Sequence, residues 1–363
     1  MRPLSDLRVV DATSYVSGPF AALCLADLGA RVLKIEPPRG DPMRRFGVLH
    51  NDVSFTFAVC NGNKTSRTLN LKLAEDVDRF HEELSEADVL ITNWRPGVAE
   101  EMGFNVEEVR QMYPLLVWVR ISGYGQVGPF ANLPAFDAIL QARSGIARAR
   151  DGEAKLAPGY LADKVSGLLA AQAAIAAIHG RDSTKTGAIV DVAMLDAMAY
   201  FNGPDLFAGD LMTSQRHPEV MRHIGAARPL ATKDGWIIVS PVSGRQLKAL
   251  LAAVGHPEWS EELRRAGDPT VLIEEMNRLL ETTLVERTTS DWEATFSEAD
   301  VPASAALTLE EHLVDAQVLH NRIYHEVNDP VFGAIRRLRH PALFDSEPVE
   351  TDDLPIPALE IRE

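Results

Sequence analysis

The sequence has 363 residues, with 36 Lys and Arg against 52 Asp and Glu, so its formal net charge is −16. This acidic charge repels phosphate groups and argues against non-specific binding to nucleic acid or to an anionic membrane. Apolar residues make up 46% of the chain, which is typical of a globular protein that, by its length, has roughly two domains.

The first part of the chain predicts a strand, a helix and a second strand. Residues 7–10 and 31–35 are short apolar runs of strand type. Between them, Pro19 opens an apolar helix over 20–28, and Gly29 is its expected C-cap. This order within about thirty residues is a βαβ unit, so we expect a parallel sheet.

The same alternation continues along the chain. Helices are predicted over 74–86 and 163–179, and strands over 89–92, 115–121 and 189–193. The helix over 163–179 is apolar on all sides, so we expect it to be buried.

After about residue 205 the pattern changes. A strand over 236–239 precedes several helices, and capping boxes are predicted at Ser290 with Glu293 and at Thr308 with Glu311. We therefore expect an α/β fold with a large domain over 1–205 and a smaller domain over 206–330.

The two cysteines, Cys24 and Cys60, are too few for a disulfide framework, which favours a reducing compartment. The start of the chain lacks the apolar segment of a signal peptide. The longest apolar run, over 167–178, is too short to span a bilayer. We expect a cytoplasmic protein.

The segment GYGQVG over 123–128 spells GxGxxG after a predicted strand, the fingerprint of dinucleotide-binding proteins. That fingerprint needs a helix whose N-terminus meets the pyrophosphate, whereas Pro129 and Pro134 follow here. We therefore expect a tight loop that lets the backbone approach a ligand. A nicotinamide-dependent oxidoreductase is a weaker alternative.

Asp163 begins the apolar helix, and its position has two interpretations. Asp is a preferred residue at helix N-termini and could simply cap the helix. The positive end of the helix dipole also favours an ionised carboxylate, which can attack an activated acyl group as a nucleophile. The position in the sequence does not decide between them.

Three further polar segments have both a structural and a ligand-binding interpretation. Asp137 follows the glycine loop and suits a turn. The segment NWRPG over 93–97 follows a strand, where open α/β sheets bind ligands. Arg39, Arg44 and Arg45 follow the second strand, as a solvated patch or a local anion site. The ten histidines have no metal-binding spacing, so we expect no metal.

Together, segments along nearly the whole chain resemble the class III (family III) CoA-transferases, the group of formyl-CoA transferase, carnitine-pathway CoA-transferases and α-methylacyl-CoA racemase. The matching segments are RVVD at 8–11, SGP at 17–19, LGARVLKIEP at 28–37, CNGNK at 60–64, NWRPG at 93–97, ISGYGQVGP at 121–129, FD at 136–137, QA at 141–142, DKVSG at 163–167, VDVAM at 190–194 and ADVPA at 299–303.

The resemblance implies a Rossmann-like large domain with a parallel sheet and a smaller α/β domain. It implies that the chain returns to the large domain from about residue 331, and that two subunits interlink as a homodimer. The implied substrates are an acyl-CoA and a carboxylic acid. No cofactor beyond the CoA thioester substrate is expected.

The resemblance also implies a mechanism in which Asp163 is the nucleophile. In the transferases the matching aspartate attacks the acyl-CoA thioester and forms an acyl-aspartyl anhydride. The CoA thiolate then returns to give an aspartyl-CoA thioester. The acceptor carboxylate attacks next, and its acyl group leaves on CoA.

The positions that the resemblance assigns to CoA or substrate binding lie in loops and strand ends of the large domain. They are Val16, Ser17, Arg39, Leu69, Asn70, Leu71, Lys72, Asn93, Trp94, Arg95, Tyr124, Pro134, Phe136 and Asp137. Among them Lys72 and Arg95 are suited by charge to phosphate groups.

The chain departs from the family pattern at several positions. Phe136 stands where the racemases carry a proton-transferring His, so two-base racemisation is not expected. Val16 stands where formyl-CoA transferases carry Gln, and GAAR at 225–228 replaces their glycine-rich loop, so specificity for formate and oxalate is not expected. Glu101 and Pro37 replace basic CoA-contacting residues, with Arg39 as the candidate replacement for the second.

From the sequence we therefore expect a CoA-transferase that moves CoA from an acyl-CoA to a free carboxylic acid through Asp163. The alternatives are an acyl-CoA racemase or isomerase with a different base, and a CoA-binding protein without activity.

Overall fold

The structure is a computed structural model that describes residues 1–148, 153–211, 228–264 and 269–360. The chain folds into two compact units. The first combines Met1–Asn202 with the chain from Arg322 onward, and the second is Gly203–Asn321. The sequence predicts these two boundaries near residues 205 and 330.

The first unit is built on a six-stranded sheet in which every pair of neighbours is parallel, in the order β5-β2-β1-β6-β7-β8. A short antiparallel hairpin, β3 with β4, lies outside this sheet. The strands are β1 (Arg8–Ala12), β2 (Arg31–Glu36), β3 (Leu49–His50), β4 (Val53–Ser54), β5 (Lys64–Thr68), β6 (Val89–Thr92), β7 (Val117–Ser122) and β8 (Ile189–Ala193). The predicted parallel sheet is confirmed.

Helices cover both faces of this sheet. They are α1 (Ser17–Ala26), α2 (Phe55–Asn61), α3 (Ala74–Ser85), α4 (Val98–Glu101), α5 (Val106–Met112), α6 (Asp137–Arg143), α7 (Leu161–Thr184) and α8 (Met194–Asn202). Successive strand residues point to opposite faces. Val9 accordingly packs in the core with α1, α7 and α8, whereas Val10 packs in the core with α3 and α5.

The strand order places the centre of the sheet at a topological switch point. From β1 the chain builds outward through β2 to β5, and it then returns to the other side of β1 to form β6. Ala12 at the end of β1 pairs with Thr92 at the end of β6. The connections that leave these two strand ends run to opposite sides, which opens a crevice where α/β proteins bind ligands.

The helix α7 is longer and less buried than the sequence predicts. It runs over 24 residues rather than 163–179, and Leu168 on its outer side is exposed. By length and composition alone it could cross a membrane, but its buried residues, such as Ala170 and Ala174, pack in the core beside the sheet. Its apolar character is thus accounted for, in part, by packing inside the first unit.

Two further details of the first unit differ from the expectation. The helix α1 begins at Ser17, so Pro19 is its third residue, and its C-cap is Asp27 rather than Gly29. Gly29 follows with a φ of 100°, the left-handed conformation that ends a helix. The edge strand β5 was missed because its sequence, KTSRT, is polar.

The second unit contains a three-stranded antiparallel sheet in the order β11-β10-β9 and a set of helices. Its elements are β9 (Leu230–Ala231), β10 (Trp236–Val239), α9 (Gly244–Ala253), α10 (Trp259–Arg264), α11 (Pro269–Leu284), α12 (Thr289–Glu298), β11 (Ala303–Ala305), α13 (Leu309–His312) and α14 (Ala316–Asn321). Residues 225–227 of the segment compared with a family glycine loop lie outside the described residues.

One of the two predicted capping boxes is present. Thr308 and Glu311 form it at the start of α13. The other is wrong, because the N-cap of α12 is Thr288, whose side chain accepts from the N–H of Asp291. Glu293 instead accepts a hydrogen bond from the N–H of Ala305.

The C-terminal segment returns to the first unit as two antiparallel hairpins, which the sequence pattern did not predict. They pair β12 (Tyr324–Asp329) with β13 (Gly333–Leu338), and β14 (Leu343–Phe344) with β15 (Glu347–Pro348).

Gly167 sets the distance between α1 and α7, and its replacement tests this contact. A Cβ at Gly167 would lie 2.8 Å from the carbonyl oxygen of Ser17. We expect Gly167→Ala to lower the free energy of unfolding by roughly 1–3 kcal/mol through overpacking. Urea denaturation measures the difference.

Gly180 in the same helix is the matched control, because a Cβ there would meet nothing within 4 Å. We expect Gly180→Ala to raise the free energy of unfolding by up to about 1 kcal/mol through helix propensity. Equal effects of the two substitutions would contradict the close helix contact at Gly167.

Candidate active site

The loop between β1 and α1 lies at the switch point, and hydrogen bonds connect it to Asn93, the residue that follows β6. The Asn93 side chain makes both hydrogen bonds to the backbone of Ser14. Its Oδ1 accepts from the N–H at 3.0 Å, and its Nδ2 donates to the carbonyl at 2.7 Å. Asn93 therefore braces the loop.

A buried ion pair supports the same loop from beneath. Lys34 Nζ lies 3.0 Å from Asp41 Oδ2 and donates to the carbonyl of Thr13 at 3.0 Å, and neither charged side chain is exposed. The other oxygen of Asp41 accepts from the N–H of Tyr15 at 3.1 Å. These bonds hold the backbone where Tyr15 adopts a φ of 66°, a conformation that non-glycine residues rarely adopt.

A second buried lysine ties the strand β1 to the start of α1. Lys64 Nζ donates to Asp11 Oδ2 at 2.8 Å, to the carbonyl of Pro19 at 2.7 Å and to Asn61 Oδ1 at 3.0 Å. Burial alone would raise the pKa of Asp11, but the ammonium groups of Lys34 and Lys64 outweigh it and hold that pKa below its ordinary value. Asp11 is therefore ionised and paired.

Asp163 faces the N-terminus of α1. The backbone N–H and the hydroxyl of Ser17, the first residue of that helix, lie near the Asp163 carboxylate and lower its pKa. Gly167, one turn further along α7, permits this approach because it leaves room for the Ser17 carbonyl. The carboxylate thus lies at the positive ends of two helix dipoles, which favour its ionised form.

Asp137, rather than Asp163, caps α7. The N-cap residue Tyr160 provides no side-chain hydrogen bond. Asp137 Oδ1 instead accepts from the N–H of Ala162 at 2.6 Å and from the N–H of Asp163 at 3.3 Å. Of the two sequence interpretations of Asp163, the structure therefore does not support the capping one.

The electrostatic environment of Asp163 opposes the helix dipoles. Burial raises the pKa of its carboxyl group, the neighbouring Asp137 carboxylate raises it further, and the two Ser17 donors lower it. The result is a pKa raised to about 7. At neutral pH both the protonated and the ionised forms are therefore populated. A carboxyl group with a pKa in this range can act as a nucleophile or exchange a proton at neutral pH.

An aromatic pair joins the segment that precedes Ser17 to the segment that precedes Asp137. Phe136 directly precedes Asp137, and its ring meets that of Tyr15 edge to face, with centroids 5.3 Å apart. Both rings are exposed. They form an exposed apolar surface between the loop that leads into α1 and the start of α6.

The other predicted ligand-binding positions are distributed over the same edge of the sheet and its core. The side chains of Val16 and Leu69 are buried in hydrophobic clusters, and Leu71 and Trp94 pack against the cluster of Leu69. These side chains therefore contribute to the core, which leaves their backbone to contact a ligand.

The three cationic members of the predicted set are exposed. They are Arg39, Lys72 and Arg95, and Pro134 is exposed as well. Asn70 is half-buried, and its Oδ1 accepts from the N–H of Lys72 at 3.3 Å. The structure does not bring these residues into contact with Asp163.

The glycine segment forms a loop without a following helix until α6, as the prolines predict. Gly125 and Gly128 have φ values of 98° and 110°, which favour glycine. The ring centroids of Tyr124, in this loop, and Phe130 lie 5.9 Å apart. The guanidinium carbon of Arg143 lies over the Phe130 ring, 4.0 Å from its centroid.

The prediction that Arg44 belongs to a local anion site is wrong. Its guanidinium is buried and donates to both oxygens of Glu36, at 2.7 and 2.6 Å, and to the carbonyl of Pro357 at 2.8 Å. Within 1–148, 153–211, 228–264 and 269–360, no three His, Cys, Asp or Glu side chains form a group that could hold a metal ion.

Sequence reasoning missed the buried charges Asp11, Lys34, Asp41 and Lys64 as parts of the site. A signal was present, because Asp11 and Lys34 interrupt strands that are otherwise mostly apolar. Charged residues in such positions are almost always paired when buried.

Comparison with known proteins identifies relatives over nearly the whole chain. CoA-transferase family III matches residues 4–361. Acetyl-CoA:oxalate CoA-transferase of Acetobacter aceti is 33% identical over 322 residues, covering 85% of this chain and 82% of that protein. Succinyl-CoA:glutarate CoA-transferase of Mus musculus is 30% identical over 347 residues, covering 92% and 79%.

Solved structures resemble the whole fold. Rv3272 from Mycobacterium tuberculosis superposes with a TM-score of 0.83 at 26% identity, covering 99% of this chain and 97% of that one. A CAIB/BAIF family protein from Brucella suis gives a TM-score of 0.83 at 25% identity with the same coverage.

Removing the Lys64 charge tests the buried support of the loop. Lys64→Met leaves the Asp11 carboxylate, the Pro19 carbonyl and the Asn61 side chain without their shared donor. We expect the free energy of unfolding to fall by roughly 3–5 kcal/mol, because a buried charge loses a partner. Arg110→Met is the control, since Arg110 pairs with Glu107 on the surface and should change stability by less than about 1 kcal/mol.

The raised pKa of Asp163 predicts a stability that depends on pH. Between the ordinary value of 3.8 and about 7, the folded protein keeps a proton that the unfolded chain has released. The contribution of this group to stability therefore falls as pH rises through that window. Asp163→Asn removes the titration, so its free energy of unfolding should decline less over the window than that of the wild type.

Urea denaturation at several pH values measures this difference. The control is Asp182→Asn, because Asp182 is an exposed carboxylate on the same helix. Parallel curves for the wild type and Asp163→Asn would contradict a raised pKa at Asp163.

Proposed function

The chain belongs to CoA-transferase family III, and from this premise we propose that it moves CoA from an acyl-CoA donor to a free carboxylic acid, with Asp163 as the covalent nucleophile. The observation that carries the proposal is the position of the Asp163 carboxylate. It is not used to cap its own helix, which Asp137 caps, and it lies near the N–H and hydroxyl groups of Ser17 at the start of α1.

In the first step the ionised Asp163 attacks the thioester carbonyl of the donor. A bond forms between the carboxylate oxygen and the acyl carbon, the carbon–sulfur bond breaks, and CoA leaves as a thiolate. The product on the protein is an acyl-aspartyl anhydride. A pKa near 7 suits this step, because a substantial fraction of the carboxyl group is ionised at neutral pH while it keeps its basicity.

In the second step the CoA thiolate attacks the aspartyl carbonyl of the anhydride. The bond from that carbonyl carbon to the bridging oxygen breaks, the donor acid leaves as a carboxylate, and Asp163 becomes an aspartyl-CoA thioester. The acceptor carboxylate then attacks this thioester, which releases CoA thiolate and forms a second anhydride. Attack of the thiolate on the acceptor carbonyl gives the new acyl-CoA and regenerates Asp163.

Each tetrahedral intermediate carries an oxyanion close to the Asp163 side chain. The backbone N–H and hydroxyl of Ser17 lie near this carboxylate and lower its pKa, so they are suited to stabilise the developing charge. The buried lysines hold the loop that presents Ser17, which means the donors need not reorganise during the reaction.

The exposed cations of the carboxyl-end loops are suited to the phosphates of CoA. We assign this role to Lys72, Arg95 and Arg39, which are exposed and carry the charge that phosphate requires. Racemisation is disfavoured, because Phe136, at the position where the racemases carry a proton-transferring His, cannot exchange a proton. The named relatives use different acids, oxalate and glutarate, so a panel of acyl-CoAs and carboxylates read by mass is needed to identify the acceptor.

Replacing the nucleophile tests the proposal. We expect Asp163→Ala to abolish CoA exchange between an acyl-CoA and a free acid, while circular dichroism remains that of the wild type. Wild-type protein incubated with acyl-CoA should carry CoA on the peptide that contains Asp163, and hydroxylamine should convert this residue into a hydroxamate. The control Asp182→Ala removes an exposed carboxylate from the same helix and should retain full exchange.

Other outcomes identify the alternatives. Exchange that survives in Asp163→Ala would contradict covalent catalysis at this residue. Incorporation of deuterium at the α-carbon without an acceptor acid would indicate a racemase. Saturable binding of CoA without exchange in the wild type would indicate a binding protein.

A further inference from the structure

We propose that Asp137 is a positioning residue for the nucleophile: it caps α7 in place of Asp163 and so leaves the Asp163 carboxylate free to face Ser17. This inference rests on the proposed transfer reaction and adds a role that covalent catalysis does not itself require.

The first argument is geometric. Asp163 is the third residue of α7, and an acidic side chain at this position can turn back toward the free N–H groups of its own helix. Those groups need acceptors, and Tyr160 supplies none from its side chain. Asp137 accepts from the N–H groups of Ala162 and Asp163, so the requirement is met without the nucleophile.

The second argument is that Asp137 is itself held in place. The side chain is buried, and its Oδ2 accepts from Gln141 Nε2 at 2.7 Å, one turn further along α6. Gln141 is also buried, and its Oε1 accepts from the N–H of Ala157 at 2.9 Å. Asp137 is thus locked between α6 and α7, with both of its oxygens engaged by groups of the protein.

The third argument concerns charge. Asp163 has Ser17 facing it from α1, Asp137 from α6 and the thiol of Cys60 from α2. Burial raises the pKa of Cys60 to about 11, so this thiol is neutral at working pH. Asp137 is therefore the charged neighbour that acts on the nucleophile, and after burial it is the second cause that raises the pKa of Asp163.

The substitution Asp137→Asn separates the charge from the cap. The amide oxygen of Asn can still accept from the α7 N–H groups, but the negative charge is gone. Asp163 should then ionise at lower pH. We expect the acid limb of the kcat/KM profile for CoA exchange to move toward lower pH by about half a unit to one unit, since a like charge disfavours the ionised form.

Three further variants complete the test. Asp137→Glu keeps the charge, and its acid limb should stay near that of the wild type. Asp196→Asn makes the same substitution at an exposed acidic residue in the first turn of α8, and its profile should equal that of the wild type. Asp137→Ala removes both cap and charge, and kcat/KM should fall more than about tenfold.

The outcomes distinguish this inference from the proposed function. If the wild type exchanges CoA through Asp163 but Asp137→Asn has an unchanged acid limb, the role of Asp137 is refuted while the function stands. An equal shift in Asp137→Glu would also refute it. If the wild type shows no exchange, the proposed function fails. The pH dependence of stability that Asp163 contributes then tests Asp137 alone, because this dependence should be weaker in Asp137→Asn than in the wild type.

Discussion

The buried ion pairs beneath the loop between β1 and α1 are the interaction on which the rest of the site depends. Taking Lys34, Lys64, Asp11 and Asp41 out of water is costly, and mutual attraction offsets this cost only when the geometry is good and the remaining donors are satisfied. Here each ammonium also donates to a backbone carbonyl, that of Thr13 or of Pro19. The charges therefore hold the backbone as well as one another.

From this support the geometry of the nucleophile follows in two steps. The fixed loop starts α1 at Ser17, and Gly167 lets α7 approach closely enough to bring Asp163 near the N–H and hydroxyl groups of Ser17. Burial then works against the helix dipoles, since it favours the neutral carboxyl group. The balance leaves an acid that is only partly ionised at neutral pH, which lowers stability at neutral pH and suits covalent transfer.

Asp137 caps α7, and the proposed nucleophile is Asp163. Because these two roles are separated, neither residue can be interpreted from its own position in the sequence. Asp137 resembles a turn residue and Asp163 resembles a helix cap, and each prediction rests on sound local chemistry. In the folded chain Asp137 performs the capping for a helix that begins 24 residues later in the sequence. Local preference cannot show such an exchange, because it depends on which side chains arrive from distant elements.

Periodicity and the order of apolar runs sufficed to predict the parallel sheet and two of its strands. Val89–Thr92 is buried throughout and consequently apolar, whereas Ile189–Ala193 has the alternating pattern of a strand that is only partly buried. The succession of short motifs likewise pointed to the family. The polar edge strand β5, the C-terminal hairpins, the pairing of Lys64 with Asp11 and the contact of Ser17 with Asp163 were decided by tertiary structure alone. Their partners lie far apart in the sequence, and only packing brings the opposite charges and the hydrogen-bonding groups within reach of one another.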